Sequence, residues 1–230
     1  MKKHAIITGA AGNLGRALTN ELLDAGYTIH AIISHNDNTG YIKSKGLSVY
    51  QADLMSENET LNTINIIIKG IETIDLSIMT VGGYAPGRLQ EVTLTDIEKM
   101  YRLNFVTAFN VVKAVLPFME KQETDGRLFL IGAPPAIHPE QAMDMVAYAL
   151  SKSLLFRLSE IINEDGKEKK VRSVVVVPGT IDTPQNRISM PDADFTKWVK
   201  PDEIAWRIVQ LALLSDMKVS DNILKIDNNS

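Results

Sequence analysis

Ala5-Ile6-Ile7-Thr8-Gly9-Ala10-Ala11-Gly12-Asn13-Leu14-Gly15-Arg16-Ala17-Leu18 reads as three segments in succession. The first four residues are a short apolar run of the kind that forms a strand. Glycines at 9, 12 and 15 follow as a GxxGxxG turn, and from Leu14 a helical spacing begins. Small residues between strand and helix let backbone N–H groups approach an anion, and the helix amino terminus adds partial positive charge and unpaired donors. A plain strand-to-helix turn would also use glycines. In the first βα unit of a chain, the spacing points instead to a cradle for the pyrophosphate of a dinucleotide, formed by Gly9, Gly12, Asn13, Leu14 and Gly15.

Outward from this turn the same alternation repeats. Runs rich in β-branched residues predict strands over 5–8, 28–33, 47–51, 74–80, 127–131, 171–177 and 223–226, and stretches of helical period predict helices over 14–25, 58–69, 95–121, 143–163 and 201–214. Continuous apolar strands separated by helices are the pattern of a parallel sheet buried on both faces. No Ser/Gly linker or break in composition divides the chain, so the expectation is one α/β domain over 1–230, a doubly wound seven-stranded parallel sheet. Such sheets bind ligands beyond the carboxyl ends of their strands.

The 230 residues are 45% hydrophobic and 23% charged, ordinary values for a globular chain and unlike those of disordered or fibrous ones. A net charge of -4 gives no broad attraction to nucleic acid or anionic lipid, so the expected partner is a small molecule. With no cysteine and four scattered histidines, no metal site is expected. Met1-Lys2-Lys3-His4 runs straight into the first strand without an apolar leader, and the longest apolar runs, 64–68 and 174–177, are far shorter than the roughly 20 residues of a membrane span. A cytoplasmic protein with no membrane contact is the expectation.

The end of the second strand bears on the choice of dinucleotide, because a carboxylate there would accept the free ribose hydroxyl of NAD. Ile32-Ile33-Ser34-His35-Asn36 offers none, and Asp37 reads as too far along to serve. Ser34 and His35 could donate to a 2′-phosphate, so the expected cofactor is NADP or NAD, with NADP favoured.

Tyr148-Ala149-Leu150-Ser151-Lys152 sets a phenol and an ammonium four residues apart, on one helical face. A cation beside a phenol favours the phenolate and lowers its pKa from about 10, which would suit proton transfer near neutrality. Such a pair taken alone is often a coincidence of spacing. Joined to the glycine loop, it resembles the short-chain dehydrogenase/reductase family, whose Rossmann-type fold the whole chain would adopt. Asp53-Leu54 after the third strand, Val81-Gly82-Gly83 after the fourth, Asn104 in the long central helix and Pro178-Gly179-Thr180-Ile181-Asp182-Thr183 after the sixth all stand where that family has functional residues. Each has a plainer reading by itself: a helix cap, a solvated helix residue, a turn. The resemblance implies that Tyr148, Lys152 and Asn104 are catalytic. It also implies that Asp53 and Leu54 contact adenine, that Lys152 holds the nicotinamide ribose and that Thr183 holds the carboxamide. It further implies a homodimer or homotetramer assembled through the 95–121 and 143–163 helices.

The chain departs from that family at the loop after the fifth strand. Gly132-Ala133-Pro134-Pro135 puts Ala133 where a serine ordinarily binds the substrate oxygen, and no hydroxyl residue follows before Tyr148; His138 is one possible substitute. Losing one donor to a developing oxyanion costs about a hundredfold to a thousandfold in rate. Asn13 stands at a usual glycine position, where its tolerance of left-handed backbone would preserve the turn. One branch, the dihydropteridine reductases, is similar at these departures, at Gly82-Gly83-Tyr84-Ala85-Pro86-Gly87 and at 182–198. That likeness implies an NAD(P)H-dependent reductase of a pterin-like or other quinonoid acceptor, with a substrate loop near 180–200 and substrate contacts at Ala133, Tyr84, Asn186 and Arg187. The alternatives are a broad-specificity carbonyl reductase and a non-catalytic dinucleotide-binding regulator.

Overall fold

The computed structural model of the chain describes residues 2–37, 44–166, 169–214 and 222–227. Seven strands, β1 (His4–Thr8), β2 (Thr28–Ile33), β3 (Leu47–Gln51), β4 (Leu76–Met79), β5 (Gly126–Ile131), β6 (Val171–Pro178) and β7 (Ile223–Ile226), form one sheet in the order β3-β2-β1-β4-β5-β6-β7. Every neighbouring pair is parallel. The order reverses between β1 and β4, the switch point at which a doubly wound sheet opens a crevice for ligands.

Two apolar cores explain why the strands read as unbroken hydrophobic runs. Ala5 and Ile7 face one core and Ile6 the other; Phe129 and Ile131 alternate with Leu128 and Leu130, and Val174 and Val176 with Val175 and Val177. This follows from the two-residue period of a strand covered on both faces. The first core is closed by α1 (Asn13–Asp24) and α8 (Pro201–Leu213). The second is closed by α2 (Glu57–Ile68), α4 (Thr107–Met119) and α6 (Val146–Asp165). Buried Arg127 of β5 donates to the carbonyls of Leu211 and Leu214, so a strand cation satisfies and neutralises the carboxyl end of α8.

The predicted 95–121 helix is interrupted. A capping box between Thr93 and Asp96 starts α3 (Leu94–Tyr101), a π-helical segment spans Arg102–Val106, and α4 continues from Thr107. The extra residue shifts the phase of the apolar face within a single turn, a break too short for a 3.6-residue period read along the sequence to register. The predicted 143–163 helix begins later, because Met145 is not helical and bridges Gly87; a separate short helix, α5 (Pro139–Ala142), precedes it. Within the predicted 180–200 loop lie α7 (Pro184–Ser189) and a 3-10 turn at Phe195–Lys197.

Candidate active site

Gly9 has φ +61, and a Cβ there would lie 2.8 Å from Thr80 Oγ1. Thr80 in turn donates to the Thr8 carbonyl at 2.7 Å, locking the end of β4 onto the loop. A Cβ on Gly15 would fall 2.3 Å from the Gly9 carbonyl oxygen, so the first turn of α1 packs directly on the loop backbone. Gly12 caps α1 with no side-chain acceptor, which leaves the first helical amides without a side-chain cap. These features fit an anion such as a pyrophosphate. Asn13 is the first residue of α1 and no non-glycine residue described has positive φ, so the expected left-handed tolerance is not used there. Its amide donates instead to Gln185 Oε1 at 3.1 Å, tying the loop to α7.

At the end of β2 a turn carries Asp37 back, so that its Oδ2 accepts from the Ser34 amide at 2.9 Å. His35 shares a hydrogen bond with Glu59 of α2, whose Oε1 also accepts from the Asp53 amide at 3.0 Å. The Asp53 amide and then His35 hold the Glu59 carboxyl below its ordinary range. Leu54 is buried, and its carbonyl accepts from Asn110 of α4 at 2.9 Å. Glu59 and Asn110 were not foreseen: Glu59 joins Asp53 to His35 of the preceding unit, and Asn110 reaches Leu54 from α4.

Asn104 lies in the π segment and is fully buried. It accepts from the Gly83 amide at 2.8 Å and donates to the Gly83 carbonyl and to Ser151 Oγ, each at 3.0 Å. Ser151 donates to the Tyr148 carbonyl at 2.7 Å, so one asparagine joins the loop after β4 to the turn of α6 that carries Tyr148. Ser151 was missed, although its place one residue before Lys152 puts it on the same helix. Lys152 is buried and donates to the Ile131 carbonyl at 2.7 Å; its Nζ would be 3.0 Å from a Cβ on Gly82, as Asn104 Oδ1 would be at 2.7 Å. A side chain at 82 would therefore fill the space in front of both groups. Burial lowers the Lys152 ammonium to about 8. Burial pushes the Tyr148 phenol up to about 12, and Tyr84, whose ring meets Tyr148 edge-on at 5.4 Å, adds in the same direction. The expected lowering of Tyr148 by Lys152 is thus reversed in this state, because desolvation dominates and the ammonium is engaged with Ile131. Tyr148 holds its proton at neutral pH.

Ala133 is buried and precedes a 3-10 turn at Pro134–Ala136. His138 stands before α5, its Nδ1 3.6 Å from Glu140. Beyond β6, Thr183 caps α7 by accepting from the Asn186 amide at 3.2 Å, while Asn186 donates to the Ile181 carbonyl at 2.8 Å. Arg187 makes two bonds to Asp182, at 2.6 and 2.8 Å, and stacks over Phe195. The side chains of Asn186 and Arg187 thus hold the loop's own shape. Pro178, Gly179 and Thr180 continue from β6 and pair with β7 and Val199.

A glycine turn at the switch point, a buried lysine one helical turn from a half-buried tyrosine, and a buried asparagine on a π segment lie beyond the strand ends. Residues 3–193 match the family described as short chain dehydrogenase. The chain belongs to that family. It is an NAD(P)-dependent short-chain oxidoreductase. Among its relatives, a dihydropteridine reductase of Dictyostelium discoideum is 25% identical over 239 residues, 100% of this chain and 96% of the relative. The 3-oxoacyl-acyl-carrier-protein reductase FabG of Thermotoga maritima is 23% identical over 239 residues, 98% of this chain and 96% of its own. The solved structure of ElxO with NADP bound superposes with a TM-score of 0.87 at 22% identity, covering 100% of this chain and 98% of ElxO. No helix among the described residues is long and apolar enough to cross a membrane.

Proposed function

We propose that this oxidoreductase reduces a flat, electron-poor acceptor of the pterin or quinonoid type. The observation that carries the reading is an intact Tyr148–Lys152 pair, with Lys152 bonded to the Ile131 carbonyl two residues before Ala133, a buried methyl at the position where the family resemblance places a hydroxyl donor. A simple ketone concentrates developing charge on that oxygen, and one missing donor costs about a hundredfold to a thousandfold. A quinonoid ring spreads the charge over its own heteroatoms and tolerates the loss.

Bound nicotinamide would supply the hydride. The amides of the Gly9–Gly15 loop would hold its pyrophosphate, Asp53 and Leu54 its adenine, Lys152 its ribose, and Ile181 and Thr183 its carboxamide. Val81, Gly82 and Gly83 leave the adjoining wall open, and Asn104 positions that wall against α6. Tyr148 delivers a proton from its phenol, with the Tyr84 ring as a side wall for a planar acceptor. Asn186 and Arg187 shape the covering loop.

Two carboxylates lie near the end of β2, Asp37 on the Ser34 amide and Glu59 on the Asp53 amide. Both would oppose a 2′-phosphate and Asp37 would accept from ribose hydroxyls, which supports NADH over the NADPH expected from Ser34 and His35. A homodimer or homotetramer working in the cytoplasm completes the proposal. Stopped-flow oxidation of NADH and NADPH with quinonoid dihydropterin and a carbonyl panel tests it, with rapid NADH oxidation by the dihydropterin as the expected result. Ketone turnover without dihydropterin turnover would establish a carbonyl reductase instead. Cofactor binding with no turnover of any acceptor would leave a dinucleotide-binding regulator.

A further inference from the structure

We propose that the cavity between the ends of β6 and β7 and the loop after β5 receives the hydrogen-bonding edge of the acceptor, and that Asp227 and Gln141 read that edge. This rests on the acceptor being a pterin-type ring. The cavity has a volume of about 300 Å³ and is lined by Ile137, His138, Gln141, Thr180, Lys225 and Asp227, among others. That is the lower end of the range for small-ligand sites. It borders the segments of the reacting end: its lining includes Pro134, which follows Ala133 directly, and Gly179 and Thr180, which lead to Thr183.

Strand register sets the polar groups. Lys225 lies opposite Val177 and Ile226 opposite Pro178, while the Gly179 amide donates to the Ile226 carbonyl at 2.9 Å. Lys225 and Asp227 therefore share one face, with buried Ile226 turned to the other. Gly179 makes room for the carboxylate, since a Cβ there would lie 3.1 Å from Asp227 Oδ1.

The chemistry of the lining selects among acceptors. It combines one carboxylate, one ammonium, one amide and an imidazole, with charge nearly balanced and donors beside acceptors. An acyl chain or other apolar body would strip water from the ammonium, amide and imidazole without offering them bonds in return. An anionic tail would meet Asp227. The 2-amino-4-oxo edge of a pterin fits both signs: its amino and ring N–H groups present two parallel donors to a carboxylate, and its oxo group accepts from an amide or ammonium. Asp227 takes the two donors, and Gln141 donates to the oxo oxygen with Lys225 beside it.

The experiment is calorimetric titration of the NAD⁺-saturated protein with pterin and with lumazine, which carries a second oxo group in place of the amine. Wild type is expected to bind pterin about ten- to a hundredfold more tightly than lumazine, the scale of a hydrogen-bonded pair to a charged group. Asp227→Asn is expected to bring the two within about threefold, with cofactor affinity and melting temperature unchanged, and Gln141→Leu to weaken both ligands alike. Equal affinities in wild type, or a preference that survives Asp227→Asn, would overturn the proposal. Selective binding without dihydropterin turnover would uphold the cavity and sink the acceptor reading; turnover without selectivity would sink the cavity alone.

Discussion

Burial moves Tyr148 and Lys152 in opposite directions, the phenol to about 12 and the ammonium to about 8, so at pH 7 both are protonated. Tyr148→Phe removes the transferable proton and keeps the ring. Single-turnover hydride transfer is expected to slow by about 10²–10⁴, with cofactor affinity within about twofold of wild type; Lys152→Ala impairs both. Wild-type rates in Tyr148→Phe for every active acceptor would mean that another group supplies the proton. The pH profile separates the two residues. Lys152 loses its charge as pH rises through about 8 while Tyr148 stays protonated to about 12, so kcat/KM should fall above pH 8. The same limb should persist in the residual activity of Tyr148→Phe. At Ala133, substitution by Ser restores a donor beside the acceptor. Simple carbonyls should gain at least about tenfold in kcat/KM while dihydropterin reduction is retained, and unchanged carbonyl kinetics would count against the proposed restriction.

Elements whose residues all follow one period were legible in the sequence: every predicted strand is present, and the helix after the glycine loop is placed within one residue. Features that depend on contact between distant elements were not. Glu59 of α2 bonds His35 after β2, Asn110 of α4 reaches the Leu54 carbonyl, and the π segment is fixed by the bonds of Asn104 to Gly83 and Ser151. Another such contact crosses three strands. His4 Nδ1 of β1 lies 3.1 Å from His30 Nε2 of β2, and His30 Nδ1 lies 3.4 Å from the Tyr50 hydroxyl of β3. Burial, then the neighbouring His4, lowers His30 to about 4. The unfolded chain binds a proton at this histidine near pH 6.5 and the folded one does not, so stability falls as pH drops from 6.5 to 4 and levels off below. Denaturant titrations at pH 7 and pH 4.5 should show a loss of up to about 3 kcal/mol that His30→Phe does not share. Equal pH slopes in the two proteins would place the acid sensitivity elsewhere.

At the scale of the molecule, both sheet faces are covered, and an outer apolar surface remains on the helices. Tyr101, Phe105 and Phe109 stack at 5.5 and 5.7 Å along one side of α3, the π segment and α4, with Tyr101 40% and Phe109 38% exposed. On α6, which packs against α3, Leu150 is 53% and Ile161 57% exposed. These are the helices through which assembly is expected. A two-fold axis through such a surface would place each aromatic row against its copy, since an isologous contact is self-complementary. Ordering rigid rings costs little side-chain entropy, and a stable pair needs about 1,200 Å² or more buried in total. Phe109→Glu would bring a carboxylate from each copy into that contact, where burial and like charge both act against association. Sedimentation equilibrium at micromolar concentration should give a dimer or tetramer for wild type and a smaller species for Phe109→Glu, with its far-ultraviolet circular dichroism unchanged. A wild-type monomer, or a variant that associates as tightly as wild type, would remove this face from the assembly.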